Sequence, residues 1–173
     1  MKRRLGLLLL AMLWLLGGCG RLGERDYFAY RGGDFSGEVR GSMNGVDFCA
    51  RIDLQRAGEE WAVGVSYFAP EMLEGTEISA VCDGRGEMLG EIEILRGNTR
   101  FLADGDAMAG LLRPATVWLS CAELASVQKT GGEYRLLFEG GEMIRMRADG
   151  IPILVSGERF SMEMIWMERR MSD

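Results

Sequence analysis

The chain has 173 residues, with 20 Lys and Arg, 26 Asp and Glu and no His, which gives a net charge of −6. The absence of His excludes Ser-His-Asp and Cys-His catalytic arrangements as well as His-ligated metal sites. The acidic balance argues against nucleic acid as a partner, because such binding needs clustered Lys and Arg.

The N-terminus has the pattern of an export signal. Lys2, Arg3 and Arg4 are followed by an apolar run from residue 5 to residue 16. A basic segment followed by a short apolar segment is typical of a secretory signal peptide. The run is shorter than the roughly 20 apolar residues that a membrane-spanning helix needs. We therefore predict a signal peptide over residues 1–18.

The end of this segment resembles the lipobox of bacterial lipoproteins. Leu16-Gly17-Gly18-Cys19 has an aliphatic residue, two small residues and then a cysteine. The resemblance implies that cleavage precedes Cys19 and that its thiol carries a diacylglycerol. Two or three acyl chains anchor a small domain stably, which predicts a lipid-anchored protein on the extracytoplasmic face of the cell membrane. An ordinary secretory signal that contains a cysteine is the alternative.

Removal of the signal peptide leaves 155 residues with 17 basic and 26 acidic side chains, a net charge of −9. This length fits one domain with its own core. Residues 19–34 are mixed in character and contain several glycines, so we expect the lipidated Cys19 and a tether there, and a single domain over residues 35–173.

Three cysteines remain after the anchor, Cys49, Cys82 and Cys121. One disulfide among them is compatible with export, but an odd number at wide spacing favours half-buried free thiols. No pair has the CxxC spacing, so we predict neither a metal site nor a cofactor.

Alternation of apolar and polar residues predicts a meander of about nine antiparallel strands. The clearest hairpin joins two alternating runs through Asn44-Gly45, a type I′ turn signal. Glycines mark the later breaks between strands. The expected strands cover Phe35–Met43, Val46–Leu54, Trp61–Tyr67, Ile78–Ala80, Met88–Ile94, Tyr134–Phe138, Ile144–Ala148, Ile153–Val155 and Phe160–Trp166.

Between residues 107 and 126 the apolar spacing becomes helical. Met108, Leu111 and Leu112 form one stripe, a second stripe begins at Val117 and continues through Cys121, Leu124 and Ala125, and Pro114 separates the two. We expect two short helical pieces, because proline disfavours helical geometry at the residue before it. The predicted fold is α+β and mostly β: a curled antiparallel half-barrel with a short helical lid on its concave side.

The order of elements resembles the LolA-like lipoprotein carrier superfamily, which includes mycobacterial lipid-binding lipoproteins. The chain also resembles small, clostridial-type lipoproteins of Gram-positive anaerobes. The residues that carry the resemblance are Phe35-Ser36-Gly37-Glu38-Val39 with Asn44-Gly45, Pro70 to Gly75, and Asp149-Gly150-Ile151-Pro152. The resemblance implies a half-barrel that binds acyl chains in its interior. The chain departs from the carriers in having no long helix after the tether, and no binding residue can be transferred from them.

We therefore predict a non-enzymatic binder of a lipid or other apolar ligand. The candidate lining residues are Phe48, Val65, Ile92, Met108, Leu112, Trp118, Phe138 and Met164. Each of them is also compatible with a packed core, which leads to the alternative of an envelope structural or protein-interaction lipoprotein without a ligand. An enzyme is a third class. We nominate no catalytic residue, because carboxylate pairs such as Glu91 and Glu93 lie on polar strand faces.

Overall fold

The computed structural model of the chain describes residues 27–119 and 123–170. The predicted signal peptide, the predicted lipidation site Cys19 and the thiol of Cys121 lie outside these residues. The signal peptide, the lipidation of Cys19 and the state of the Cys121 thiol therefore remain predictions.

The described residues form eleven strands, one α-helix and one short 3-10 turn. The strands are β1 (Asp34–Met43), β2 (Val46–Ala57), β3 (Glu60–Ala69), β4 (Thr76–Cys82), β5 (Glu91–Arg96), β6 (Thr99–Asp104), β7 (Leu124–Thr130), β8 (Glu133–Phe138), β9 (Met143–Arg147), β10 (Pro152–Gly157) and β11 (Phe160–Arg170). The helix α1 covers Gly105–Thr116, and the 3-10 turn covers Ala29–Gly32.

All eleven strands belong to one curled antiparallel sheet in the order β6-β5-β4-β3-β2-β1-β11-β10-β9-β8-β7. The first and last strands pair with each other at its centre, and both halves run outward from this pair. The sheet is not closed into a barrel, because β6 and β7 are edges. The predicted fold class, a mostly β half-barrel with a short helix, is confirmed.

The predicted number of about nine strands is wrong, and the two missed strands are the two edges. Most side chains of β6 and β7 are exposed on both faces of the sheet. A strand that buries neither face has no reason to alternate apolar with polar residues. Apolar–polar alternation therefore predicts the nine interior strands and does not predict the two edge strands.

The predicted division of the helical region at Pro114 is also wrong. Pro114 lies inside α1, close to its C-terminal end, and its ring is buried beside the buried Leu112 and Ala115. Apolar packing on both sides offsets the backbone hydrogen bond that proline cannot make. The described residues of the second stripe are not helical, since Val117 caps α1 and Leu124 begins β7.

The segment at residues 27–34 is part of the domain and not of a tether. Tyr30 is completely buried, and Tyr27 and Phe28 pack against the core. Asp34 already belongs to β1. The aromatic side chains of this segment bury a large apolar area and thereby attach it to the domain. The prediction of a tether that extends to residue 34, which relied on the glycines, is wrong for these residues.

Candidate functional site: the covered concave face

The inward face of the sheet is apolar, and short segments cover it in place of a second layer. Helix α1 follows β6 at one edge, and the chain then continues past Trp118 to β7 at the other edge. The connection between the two edges therefore crosses the mouth of the half-barrel. Helix α1, residues 117–119 and residues 27–32 are called the cover below.

Helix α1 closes one half of the sheet. It packs against β2 to β6, and the side chain of Asp104 caps its first turn by accepting hydrogen bonds from the N–H groups of Asp106 and Ala107. The hydroxyl of Tyr67, on the inward face of β3, donates a 2.7 Å hydrogen bond to the carbonyl of Leu111. Burial raises the pKa of the Tyr67 phenol. It therefore stays a protonated donor.

The N-terminal part of the cover lies over the other half. The ring centroids of Tyr27 and Tyr134 are 5.3 Å apart, and those of Phe28 and Phe138 are 6.2 Å apart. Tyr134 and Phe138 belong to β8, so Tyr27 and Phe28 pack against that strand. The hydroxyl of Tyr30 donates a 2.9 Å hydrogen bond to the carbonyl of Trp118. These contacts join the two parts of the cover.

Seven of the eight predicted lining residues belong to one buried core. Met108 is the exception, with 37% of its surface exposed on α1. The buried seven are Phe48, Val65, Ile92, Leu112, Trp118, Phe138 and Met164. The structure thus places five of these residues on the inward face of the sheet and Leu112 and Trp118 on the inner side of the cover, while Met108 lies outside the buried core.

Sequence analysis missed the polar groups that hold the cover. For Tyr67 a signal existed, because a tyrosine at an inward strand position needs a hydrogen-bond partner for its hydroxyl. For Tyr30 and Arg31 there was none, since the residues around them show no periodicity. Their partner, Trp118, is 88 and 87 residues away in the chain.

Three surface depressions are bordered by described residues. One of about 170 Å³ lies between Tyr27, Tyr134 and the turn at Asp149-Gly150, and Met146 of the core lies at its wall. A shallow groove of about 510 Å³ lies on the outer face of β2 to β6, and a third depression lies between the hairpin tips at residues 42–45 and 157–161. None of these three depressions is lined by a predicted ligand-binding residue.

The outer face carries a polar cluster around Glu38. Its carboxylate accepts a hydrogen bond from the indole nitrogen of Trp166 at 3.2 Å, and the Cys49 sulfur lies 3.6 Å from the other carboxylate oxygen. Burial and then the negative charge of Glu38 raise the pKa of the Cys49 thiol. A thiol in this setting is a poor nucleophile.

Cys82 and Cys49 are free thiols. Cys82 is completely buried on the inward face of β4. Burial, with a smaller contribution from Asp83, raises its pKa to about 11. Both thiols are free, as we favoured, but only Cys49 is half-buried.

No helix within the described residues combines the length and the apolar character of a membrane span.

No protein-family model matches the chain, and no curated protein matches it either. Among solved structures, an uncharacterized conserved protein from Thermus thermophilus is similar, with a TM-score of 0.51 and 12% identity over 84% of this chain and 83% of that chain. At this identity the similarity shows the fold alone.

Two further structures are similar at lower scores. A domain of an outer membrane lipoprotein-sorting protein from Vibrio parahaemolyticus has a TM-score of 0.47 and 8% identity over 80% of this chain and 86% of that chain. A DUF1329 family protein from Desulfovibrio piger has a TM-score of 0.47 and 9% identity over 84% of this chain and 92% of that chain. These scores carry no conclusion about function. This chain therefore shares a fold with the Thermus protein. Its function is argued below from the chemistry of its own residues.

Proposed function

We propose that the protein is a non-enzymatic, lipid-anchored extracytoplasmic lipoprotein whose half-barrel binds a lipid or another apolar ligand on its concave face. The observation that carries the proposal is the cover. The apolar face of an eleven-stranded open sheet is closed by one twelve-residue helix and two short segments. A cover of this size can move while the sheet keeps its strand pairing.

Polar contacts help to attach the cover, among them a 3.2 Å hydrogen bond from the Arg113 guanidinium of α1 to the carboxylate of Glu142. Tyr67 donates to the carbonyl of Leu111, and Tyr30 and Arg31 donate to the carbonyl of Trp118. A neutral hydrogen bond contributes about 1 kcal/mol net to stability. Displacement of the segment around Trp118 breaks the last two bonds and no bond between strands. Opening in this way keeps the strand pairing and exposes the buried side chains of Trp118 and Leu119.

The buried side chains of β9 and β11 include Met146, Met162 and Met164. Methionine is unbranched and has three rotatable bonds, so it adapts to ligands of differing shape. A ligand that enters between the cover and β8 to β11 meets a flexible apolar wall.

The predicted anchor places the cover near the membrane. Cys19 precedes Tyr27 by eight residues, and an extended chain of that length spans at most about 28 Å. With Cys19 lipidated, the Tyr27 side of the cover stays within this distance of the bilayer. The predicted ligand and its membrane source are then close together.

The anchor has its own test. Cys19→Ala in the full chain is expected to abolish incorporation of labelled palmitate and to release the protein from the membrane fraction. Cys49→Ala is the matched control and is expected to keep both. Labelling of the Cys19→Ala variant at the level of the unaltered chain would contradict the anchor.

An interaction lipoprotein with a filled core is the second candidate. The burial of seven predicted lining side chains favours it. Its contact surface would include the edge strand β6, where Phe101 and Leu102 are 53% and 59% exposed. Exposed apolar residues on an unpaired edge favour contact with another chain.

Native mass spectrometry separates the two candidates. Residues 20–173 contain every described element, so this domain is purified and compared with the same sample after denaturation. A co-purifying mass that is released on denaturation and extracts as lipid supports a ligand. A clean protein mass, with no binding of a fluorescent fatty acid, favours the interaction lipoprotein.

A further inference from the structure

Two buried hydrogen-bond donors at the junction of the cover have no acceptor among residues 27–119 and 123–170. The side chain of Trp118 is 0% exposed, and its indole Nε1 is buried without a partner. One terminal guanidinium nitrogen of Arg31 is also buried and unpartnered, although the Nε of the same side chain donates to the carbonyl of Trp118 at 3.0 Å. Native proteins satisfy nearly all such donors, so two of them on residues in direct contact indicate an acceptor that the described residues do not supply.

Within the described part of the chain, the guanidinium of Arg31 likewise has no carboxylate partner. Its guanidinium carbon lies 4.4 Å from the ring centroid of Phe28 and 5.7 Å from that of Tyr30. Aromatic faces stabilise the cation and shield it from water. The ion pairs formed among residues 27–119 and 123–170 all involve other arginines. A partly buried cation without a carboxylate partner favours an added anion.

We infer that Arg31 and Trp118 form a recognition site for the oxyanion headgroup of an acyl-chain ligand. This rests on the proposed function and names the ligand class, namely an anionic single- or double-chain lipid. The guanidinium and the indole donate hydrogen bonds to the oxyanion, a geometry that guanidinium groups favour. The acyl chain lies against the apolar inward face. The headgroup is a fatty-acid carboxylate or a lipid phosphate.

Three ligands that share a long alkyl chain test the site: palmitate, hexadecanol and lysophosphatidate. The domain of residues 20–173 is loaded with a fluorescent fatty acid, and the affinity of each ligand is measured from its displacement of this probe. We expect an anionic ligand to bind at least about tenfold more tightly than hexadecanol, because charge-assisted hydrogen bonds are stronger than neutral ones. A preference for palmitate supports the site and assigns a carboxylate, and a preference for lysophosphatidate supports it and assigns a phosphate.

Variants separate recognition from simple attachment of the cover. Arg31→Gln is expected to abolish the preference for an anion and to change hexadecanol affinity by less than about twofold. Arg31→Lys keeps the charge and retains most of the preference. Trp118→Phe keeps an aromatic ring, removes the N–H and lowers the preference in part. Arg100→Gln, at an exposed ion pair, is the matched control and changes nothing.

Two results would overturn the site while leaving the proposed function intact. One is equal affinity of the unaltered domain for the anionic ligands and hexadecanol. The other is an equal loss of affinity for all three in Arg31→Gln, which would make Arg31 a positioning residue for the cover. Failure of all three ligands to bind would overturn the proposed function, and the site with it.

Discussion

Tyr30 and Trp118 are 88 residues apart in the sequence, and the hydroxyl of Tyr30 donates a 2.9 Å hydrogen bond to the main-chain carbonyl of Trp118. Arg31 donates to the same oxygen at 3.0 Å. This carbonyl therefore connects the segment that precedes β1 to the segment that follows α1. We expect the strength of that connection to set how readily the cover moves.

Tyr30→Phe removes the hydroxyl and keeps the ring. We expect the free energy of unfolding to fall by about 1 kcal/mol, the net contribution of one buried hydrogen bond. A fluorescent fatty acid should also enter faster, because the cover is held less firmly. Urea denaturation and stopped-flow binding measure the two effects. Tyr134→Phe is the control, since the hydroxyl of Tyr134 has no hydrogen bond with the described residues. Equal effects of both variants would contradict the connection.

Gly41→Ala should strongly destabilise the central strand pair. A Cβ at residue 41 would meet the carbonyl oxygen of Ser161 and lie 2.8 Å from the Cα of Met162. Both are backbone atoms of β11, so the pair must separate, at a cost of about 1–3 kcal/mol or more. Gly64→Ala is the matched strand variant, because its nearest atoms lie at 3.9 Å. Urea denaturation should show loss of stability in the first variant and none in the second.

The thiol of Cys49 should respond in opposite directions to two charge removals. Burial raises its pKa first, the Glu38 carboxylate raises it further, and Arg40 lowers it. Thiolate is the reactive form. Glu38→Gln should therefore speed alkylation of Cys49 at pH 8, and Arg40→Gln should slow it. The rates are measured by peptide mass spectrometry with iodoacetamide. A change in the same direction for both variants would show that local unfolding controls the rate.

Cys82 should make stability fall in alkaline solution. Its pKa is raised from 9.0 to about 11 in the folded chain, so above pH 9 the unfolded chain loses its proton first. Stability from this group is complete below pH 9 and is lost as the pH rises to about 11. Urea midpoints between pH 8 and 11 measure the slope. Cys82→Ala should flatten it, while Cys49→Ala, at a half-exposed position, should flatten it less. Identical slopes in Cys82→Ala and the unaltered chain would contradict the assignment.

Much of the sheet could be predicted because its interior strands bury one face. The β1–β2 hairpin is the clearest example: Asn44 and Gly45 have φ angles of 53° and 79°, as a type I′ turn requires. The edge strands escaped prediction, since Phe101 and Leu102 are both exposed on β6 and give no alternating pattern.

The candidate site was predictable only in its apolar part. Inward positions such as Val65 and Phe138 follow from strand alternation, and the core contains them. The contact between Arg31 and Trp118 depends on where two segments without periodicity meet in space. No sequence pattern within either segment predicts the contact between Arg31 and Trp118.

Quenching by a dibrominated fatty acid tests the concave-face ligand most directly, because bromine quenches only nearby indoles. In residues 20–173, Trp118 belongs to the cover and its side chain is buried, while Trp166 is 40% exposed on the outer face. We expect saturable quenching in a variant that retains only Trp118, with Trp61→Phe and Trp166→Phe, and none in the variant that retains only Trp166. Quenching of Trp166 alone, or of neither residue, would contradict a ligand on the concave face.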